Sequence, residues 1–285
     1  MITVKREGVI IEPSMVSYNE NNINGPSLIK VPDWIENPLG KYYLYFANHG
    51  GKYIRMAYSD KVTGPYTIHE NGTLRLEQSP GHDHIASPDV HIDNENKEIV
   101  MYYHTPFEDW QYTFKSKSKN GLEFTSEKYK LGMFYFRVFK FNDRIFAIAK
   151  NKNTSGISYE LINNEWVVKD ENFIPNMRHS AVNVVDDILE IYYSLVGDLQ
   201  EKIYLCKIKL DKDVDKWEVI SNEVFIKPEF KWEGILAPMI ESKPGTAFDY
   251  VNQLRDPHFF ENEHDDKFLL YSVAGEKGIG ISRIN

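Results

Sequence analysis

The chain of 285 residues has one cysteine, Cys206, and no long apolar run. A single thiol cannot form an intramolecular disulfide or a cysteine-based metal site, so a stable fold must depend on its core. No stretch approaches the ~18 apolar residues of a membrane-spanning helix, and residues 1–8 carry charges where a signal peptide would need an apolar segment. These absences predict a cytoplasmic protein without a membrane partner.

Positive charge is also scarce. Lysine and arginine number 33 against 42 aspartate and glutamate residues, which gives a formal net charge of -9. Because affinity for nucleic acid depends on clustered positive charge, the sequence predicts no nucleic-acid partner. The chain does contain 42% hydrophobic and 14% aromatic residues, enough for a large core and far too many for a disordered chain.

A pattern of strand-like segments recurs five times along the chain, always in the same order. The first segment is a short apolar run, at residues 26–29, 88–92, 136–139, 180–184 and 257–260. The second is aromatic and β-branched, at residues 42–46, 99–103, 145–148, 189–193 and 268–271. The third alternates between apolar and polar residues, at 54–58, 112–115, 157–159, 203–208 and 279–281. Such runs joined by polar turns predict antiparallel meanders.

Four of the recurrences add an outer strand, at residues 66–68, 123–125, 166–168 and 217–219. The fifth ends at Asn285 before it can form one, and the strand-like residues 4–11 can fill the vacancy. We therefore predict one all-β domain over residues 1–285, a five-bladed β-propeller with four-stranded antiparallel blades, closed by the N-terminal strand. A β-sandwich is the alternative, but it does not require five copies of one order. Residues 221–254, with three prolines, are expected to form a long loop that shapes a binding site.

A propeller would bring polar side chains together at one mouth of its channel, because first strands begin and second strands end at the same edge of each blade. The candidates for substrate binding are Asn24, His49, His84, His104, Arg137, Arg178, His179 and Arg255. Three of them are arginines, whose guanidinium groups suit bidentate binding of a carboxylate, sulfate or phosphate. The alternative is that each arginine pairs with Asp89, Asp256 or Glu233 and holds the channel together.

The sequence predicts no resident metal or other cofactor. No His-x-x-x-His pair or comparable ligand spacing occurs among the nine histidines. Each histidine taken singly is expected to be structural, whereas the four at the mouth could together form an acid, base or ion site. A channel-bound cation such as calcium is left open.

Three short motifs carry a family resemblance. Residues 85–90, Ile-Ala-Ser-Pro-Asp-Val, are similar to an Ala-Pro-Asp-Val segment of a second blade, and Arg255-Asp256-Pro257 is similar to an Arg-Asp-Pro element that carries an essential carboxylate. Trp232-Glu233-Gly234 is similar to a Glu-Gly-Pro segment that supplies a catalytic acid. In these motifs and in its blade pattern the chain resembles the propeller glycoside hydrolases of family 43 and their relatives in families 32, 68, 117 and 130. Residues 135–137, 178–179 and 252–257 also resemble segments of a group of bacterial propeller proteins, which supplies no reaction.

The resemblance implies a glycosidase that cleaves a small saccharide with paired carboxylates at the channel mouth, and the three arginines suggest an anionic one. Asp256 would be the base, and Glu233 the acid, its pKa raised by burial beside Trp232. Asp89 would tune the acid or bind a sugar hydroxyl.

Two departures leave other functions open. Gly25 stands where family 43 places its catalytic base, and Tyr135 stands where it places the aspartate that tunes the acid. The protein could therefore be a non-catalytic glycan or metabolite binder. It could also be a phosphorylase in which Arg137, Arg178 and His179 hold phosphate, or a lyase in which His179 or a tyrosine is the base.

Overall fold

The computed structural model describes residues 3–16 and 22–285 and shows a ring of five antiparallel β-sheets around a central channel. The inner strands of neighbouring sheets contact each other, and the last inner strand contacts the first. The predicted all-β, five-bladed propeller is confirmed. None of the helical segments in the described residues has the length and apolarity of a membrane span.

The strands follow the predicted order in every blade. The N-terminal strand β1 spans Val4–Ile11. Blade one contains β2 (Asn24–Lys30), β3 (Tyr42–Ala47), β4 (Tyr53–Ser59) and β5 (Thr67–Arg75). Blade two contains β6 (Ala86–Asp93), β7 (Glu98–Phe107), β8 (Trp110–Ser118), β9 (Thr125–Ser126) and β10 (Gly132–Met133).

Blade three contains β11 (Arg137–Phe141), β12 (Arg144–Asn151), β13 (Ser155–Ile162) and β14 (Glu165–Asp170). Blade four contains β15 (Met177–Val185), β16 (Ile188–Leu195), β17 (Ile203–Lys209) and β18 (Glu218–Ile226). Blade five contains β19 (Arg255–Glu261), β20 (Lys267–Ser272) and β21 (Ile279–Ile284). Four 3₁₀ turns complete the regular structure, at Pro13–Met15, Leu76–Gln78, Val214–Lys216 and Lys231–Glu233.

The N-terminal strand closes the ring, as predicted. β1 pairs antiparallel with β21, from Val4 opposite Ile284 to Ile11 opposite Ile279, so the sheet order of blade five is β1-β21-β20-β19. Ile11 is fully buried and joins Ile279 and Ile281 in the hydrophobic cluster between blades five and one. Blade five thus reaches four strands by using both ends of the chain.

Two predicted boundaries were wrong. The outer strand expected at residues 123–125 is instead two separate two-residue strands, β9 and β10, which both pair with β8. The long loop expected from residue 221 begins only after Ile226, because β18 pairs with β17 as far as Ile203 opposite Ile226.

A β-bulge lies at the start of the inner strand in four blades. The pairing register shifts between Asn24 and Ser27, Ala86 and Asp89, Met177 and Ser180, and Arg255 and His258. Gly25, Ser87 and Asp256 have positive φ at these bulges, and Tyr135, just before β11, has φ 66. A bulge turns a side chain away from the pleat, and here the bulges lie at the mouth of the channel.

Candidate active site

A narrow polar chamber lies at the mouth where the inner strands begin. It has a volume of about 10 Å³, roughly the space of one water molecule. Six of the predicted site residues line it: Asn24, His49, His84, His104, His179 and Asp256. Ser87, Tyr135 and Glu276 complete the polar part of its wall.

The chamber continues into a wider cavity of about 270 Å³ that shares His49, Tyr135 and His179 with it. Trp110, Lys150, Arg178 and Gly245 are among the other residues that line the cavity. Pro244 and Gly245 come from the long loop before β19, so this loop does help to shape the site. The two spaces together form one recess that can hold a small polar molecule.

Asp256 presents an ionised carboxylate to the chamber. Its Oδ1 lies 3.0 Å from Nδ1 of His179, and its Oδ2 accepts a hydrogen bond from Ser272 Oγ at 3.1 Å. Burial raises the pKa of Asp256, but His179 and Arg178 lower it by more, so the pKa lies below its usual range. A carboxylate that is charged at neutral pH can act as a base or a nucleophile.

Glu276 is the second ionised carboxylate of the chamber. It accepts hydrogen bonds from Asn22 Nδ2 at 2.6 Å and Arg255 Nη1 at 2.9 Å, and it lies 3.5 Å from His49 Nδ1. Burial raises its pKa, but contacts with His49, Arg255 and Asn22 lower it far below its usual value. Glu276 lies four residues after the end of blade five's second strand, on the side where second strands are expected to supply mouth residues.

Four histidines and a tyrosine form a row across the mouth. Ring centroids lie 6.4 Å apart for His49 and His84 and 5.9 Å apart for His84 and His104. Tyr135 follows, 4.6 Å from both His104 and His179. Burial lowers the pKa of His179 to about 4 against the opposing effect of Asp256, and burial together with His84 holds the pKa of His104 well below its usual value. These two rings are therefore neutral at neutral pH.

Buried polar atoms without a hydrogen-bond partner concentrate around the recess. Within the described residues they include His104 Nδ1, Trp110 Nε1, Arg178 Nε and His179 Nδ1. His179 Nδ1 is close to Asp256 but is not aligned with it for a hydrogen bond. Native proteins leave few buried polar groups unsatisfied, and such groups call for an explanation. These four atoms belong to residues that line the chamber or the wider cavity.

The three predicted arginines do not form one open anion site. Arg137 donates to the backbone carbonyls of Ser180, Pro88 and Phe136 and does not line the recess. Arg255 is buried and pairs with Glu276 and Glu201, each at 2.9 Å.

Arg178 is the one of the three that lines the wider cavity. It donates to the carbonyls of Lys243 and Gly245 and lies 3.6 Å from Glu201. Arg178 and Arg255 are therefore closer to the alternative, in which each arginine pairs with an acidic side chain. Their acidic partners are Glu201 and Glu276, not Asp89, Asp256 or Glu233.

Glu233 and Asp89 lie outside the recess. Glu233 is fully buried, where it accepts hydrogen bonds from Arg6 Nε and Tyr271 Oη, both at 2.8 Å, and from two backbone amides. Asp89 contacts His91 Nε2 at 2.7 Å and accepts from the backbone amide of Val138 at 2.9 Å. Both carboxylates are thus committed to structural partners, and the geometry does not bring them to Asp256.

Sequence reasoning missed Glu201 and gave Lys150 and Glu276 no function. Glu201 stands in a short polar linker before β17 and becomes important only because Arg255 and Ser242, both distant in sequence, bind its carboxylate. No local pattern signals it. Lys150 lies near the end of the second strand of blade three and Glu276 lies after that of blade five, and these positions were the available signal.

The described residues contain no group of three or more histidine, cysteine, aspartate or glutamate side chains arranged to hold a metal ion. The four histidines of the mouth are spread in a row instead. We derive no metal-dependent step from them.

The fold is shared with glycosidases of known structure. A thermostable family-43 glycoside hydrolase matches with a TM-score of 0.60 and 14% identity over 93% of this chain and 89% of that one. The catalytic domain of the Coprinopsis cinerea GH62 alpha-L-arabinofuranosidase matches with a TM-score of 0.64 and 11% identity over 99% and 98%. CoXyl43, a GH43 beta-xylosidase/alpha-arabinofuranosidase from a compost metagenome, matches with a TM-score of 0.62 and 11% identity over 98% and 94%.

The chain is therefore a five-bladed propeller with the fold of family 43 and family 62 glycoside hydrolases. No family model matches it. It is 33% identical over 307 residues to "Uncharacterized protein R118" of Acanthamoeba polyphaga mimivirus, covering 95% of this chain and 85% of that protein. The chain belongs to the same family as this viral protein. The predicted membership of a bacterial group stays a prediction.

Proposed function

We propose that the protein is a carbohydrate-active enzyme, a glycosidase that cleaves a small saccharide in the recess at the propeller mouth. The observation that carries the proposal is the charged Asp256 carboxylate in the chamber, beside a cavity large enough for a sugar ring. Family 43 and family 62 enzymes act on glycosidic bonds with the same fold, which supports the same use of this mouth.

Asp256 is the base or nucleophile of this proposal, because hydrolysis requires one ionised carboxylate at the sugar. The predicted acid, Glu233, lies elsewhere, and Glu276 is ionised. We assign proton donation to His49 on its position, because its ring lines both the chamber and the wider cavity and its Nδ1 is 3.5 Å from Glu276. The pair of Glu276 and His49 would then replace the carboxylic acid of a typical glycosidase.

Elimination is a second candidate, favoured by Tyr135. Its ring lies between those of His104 and His179, 4.6 Å from each, and the residue lines the chamber. In a sugar acid, the neutral His179 beside it could remove the proton next to the carboxylate while the adjacent carbon–oxygen bond breaks and its electrons leave with the oxygen. Burial raises the pKa of Tyr135, so its hydroxyl stays protonated and could give its proton to that oxygen. The product would contain a new double bond that absorbs ultraviolet light. Phosphorolysis has weaker support, because Arg137 is outside the recess.

The test is turnover of a panel of aryl glycosides and short oligosaccharides by the wild type and Asp256→Asn. We expect Asp256→Asn to lower turnover about 100-fold or more, the usual effect of losing an acid–base group, while saccharide binding persists. Asp265→Asn, an exposed change in the same blade, should keep full activity. New reducing ends without ultraviolet absorbance indicate hydrolysis, and an absorbing product indicates elimination. Equal activity in Asp256→Asn and the wild type would refute the assignment.

A further inference from the structure

Lys150 is a buried amine that faces the wider cavity. It lies near the end of β12, in the middle strand of blade three, and its residue is only 3% exposed. Its side chain lines the cavity together with Arg178 and Trp110. Among the described residues we find no hydrogen bond or ion pair to its ammonium group. A buried ammonium without a partner is costly in free energy, so this arrangement needs a reason.

The charges around Lys150 do not compensate it. Glu201 is the carboxylate that raises the pKa of Lys150. That carboxylate is already bound by Arg255 at 2.9 Å and by Ser194 and Ser242 at 2.7 Å. Arg178 and Arg255 add positive potential instead. Burial and these two arginines lower the pKa of Lys150 to about 7. Lys150 is therefore the cation of this wall that has no acceptor among the described residues.

We propose that the wider cavity is the subsite for the carboxylate of an acidic sugar, and that Lys150 binds that carboxylate. The inference rests on the proposed function for the binding of a saccharide in the recess, and it adds that this saccharide is negatively charged. A bound carboxylate would supply the counter-charge to Lys150 through a charge-assisted hydrogen bond, which is stronger than a neutral one.

A singly charged group fits this wall better than a phosphate dianion. Arg178 is held by the carbonyls of Lys243 and Gly245, and Arg255 is held by Glu276 and Glu201. Lys150 is then the one cation of the three without an acceptor, which corresponds to one negative charge. Phosphate sites usually present several free donors.

The experiment is calorimetric titration with matched pairs of sugars, glucuronic acid against glucose and galacturonic acid against galactose. We expect the wild type to bind the acid at least about tenfold more tightly than its neutral partner, the effect of one charge-assisted hydrogen bond. Lys150→Met, similar in length and uncharged, should lose this preference and keep its affinity for neutral sugars. Lys140→Met, an exposed change in the same blade, should bind like the wild type.

Three results would overturn the inference: no preference for acids in the wild type, a preference unchanged in Lys150→Met, or tighter binding of inorganic phosphate or glucose 6-phosphate than of the uronic acids. Lys150→Gln is a second variant, and melting curves confirm that both variants fold. Binding is also measured in Asp256→Asn, because this variant should lose turnover under the proposed function and keep its preference for acids under this inference. Acid preference without turnover by the wild type would retain this inference and reject the proposed function, and turnover of neutral glycosides without acid preference would do the reverse.

Discussion

Asp256 and Glu276 are buried and yet ionised, and each has a histidine as a neighbour. In both residues the charged form is favoured by contacts that exist only when blades four, five and one are assembled. The chemistry proposed for the mouth and the stability of the fold therefore depend on the same ionised groups. This coupling leads to a test that needs no substrate.

Stability should fall in two stages as the pH is lowered. The pKa of His179 is about 4 in the folded chain and 6.5 when unperturbed, so the unfolded chain takes up its proton first and stability declines from about pH 6.5 to pH 4. Asp256 and Glu276 have lowered pKa values, so their contribution is lost at still lower pH. Urea midpoints between pH 8 and pH 3 measure this decline. His104 and His258 also have lowered pKa values and contribute to the upper stage, so His179→Gln should reduce that stage without abolishing it. An unchanged profile in that variant would contradict the explanation.

Much of the chamber wall could be predicted from the sequence. Asn24, the four histidines and Asp256 were located by their places at strand ends, and all of them line the chamber. The blade pattern could do this because successive strands of a meander run antiparallel, so the start of the first strand and the end of the second lie at the same edge. Glu233 was not placed well, since a long loop has no such periodicity, and its partners Arg6 and Tyr271 come from distant strands.

The bulges at the starts of the inner strands are the elements that shape the mouth. In blade one the bulge contains Gly25, which has φ +61, and a Cβ built on it would lie 3.2 Å from the Cα of Ser87. The backbone of blade two thus lies in tight contact with the position where the family 43 resemblance leads us to expect a base. A side chain at this position requires a small shift of the backbone at Ser87.

Gly25→Ala should therefore destabilise the propeller for two reasons. An alanine in the left-handed region costs about 1–2 kcal/mol, and its contact with Ser87 adds to that cost. Gly50→Ala is a matched control, because Gly50 has φ +81 but no atom within 4 Å of the added Cβ. Chemical denaturation of both variants gives the difference due to the contact. Equal losses of unfolding free energy in the two variants would show that the backbone at Ser87 moves readily to accommodate the added methyl group.

The elements themselves were predictable where apolar periodicity is strong. The middle strands, such as β3 with all six residues buried, can be recognised in the sequence by their aromatic and β-branched runs. The outer strand of blade two has no such run, because one face of an outer strand meets solvent and its sequence is less constrained. Its pairing with β8 is made by two short pieces that the sequence pattern does not separate.

The whole ring depends on β1, which is remote in sequence from its partner β21. The pairing was predictable because the blade count left one vacancy and residues 4–11 were the unassigned strand. The polar network at the mouth was not predictable in this way. It joins groups from different blades, such as Arg255 and Glu201, whose distances depend on the full three-dimensional assembly.

Removing residues 1–11 should open the ring. The truncated chain would expose the edge of β21 and lose the burial of Ile10 and Ile11, at a cost of about 3 kcal/mol or more. This corresponds to a fall in melting temperature of about 6–12 °C. A synthetic peptide of residues 3–16, added in excess, should restore part of the loss by binding in place of β1. A truncated protein that melts like the intact one would show that the other blades hold the ring alone.

The bulge that recurs at the strand starts also bears on how such a protein can evolve. Ser87 and Asp256 line the chamber and lie at points where the ladder register is already interrupted. Replacing either side chain changes what the mouth contains and leaves the paired positions of the ladder in place. The mouth can therefore change by single replacements on an unchanged ring, which is compatible with a fold retained at 11% identity with a GH62 enzyme.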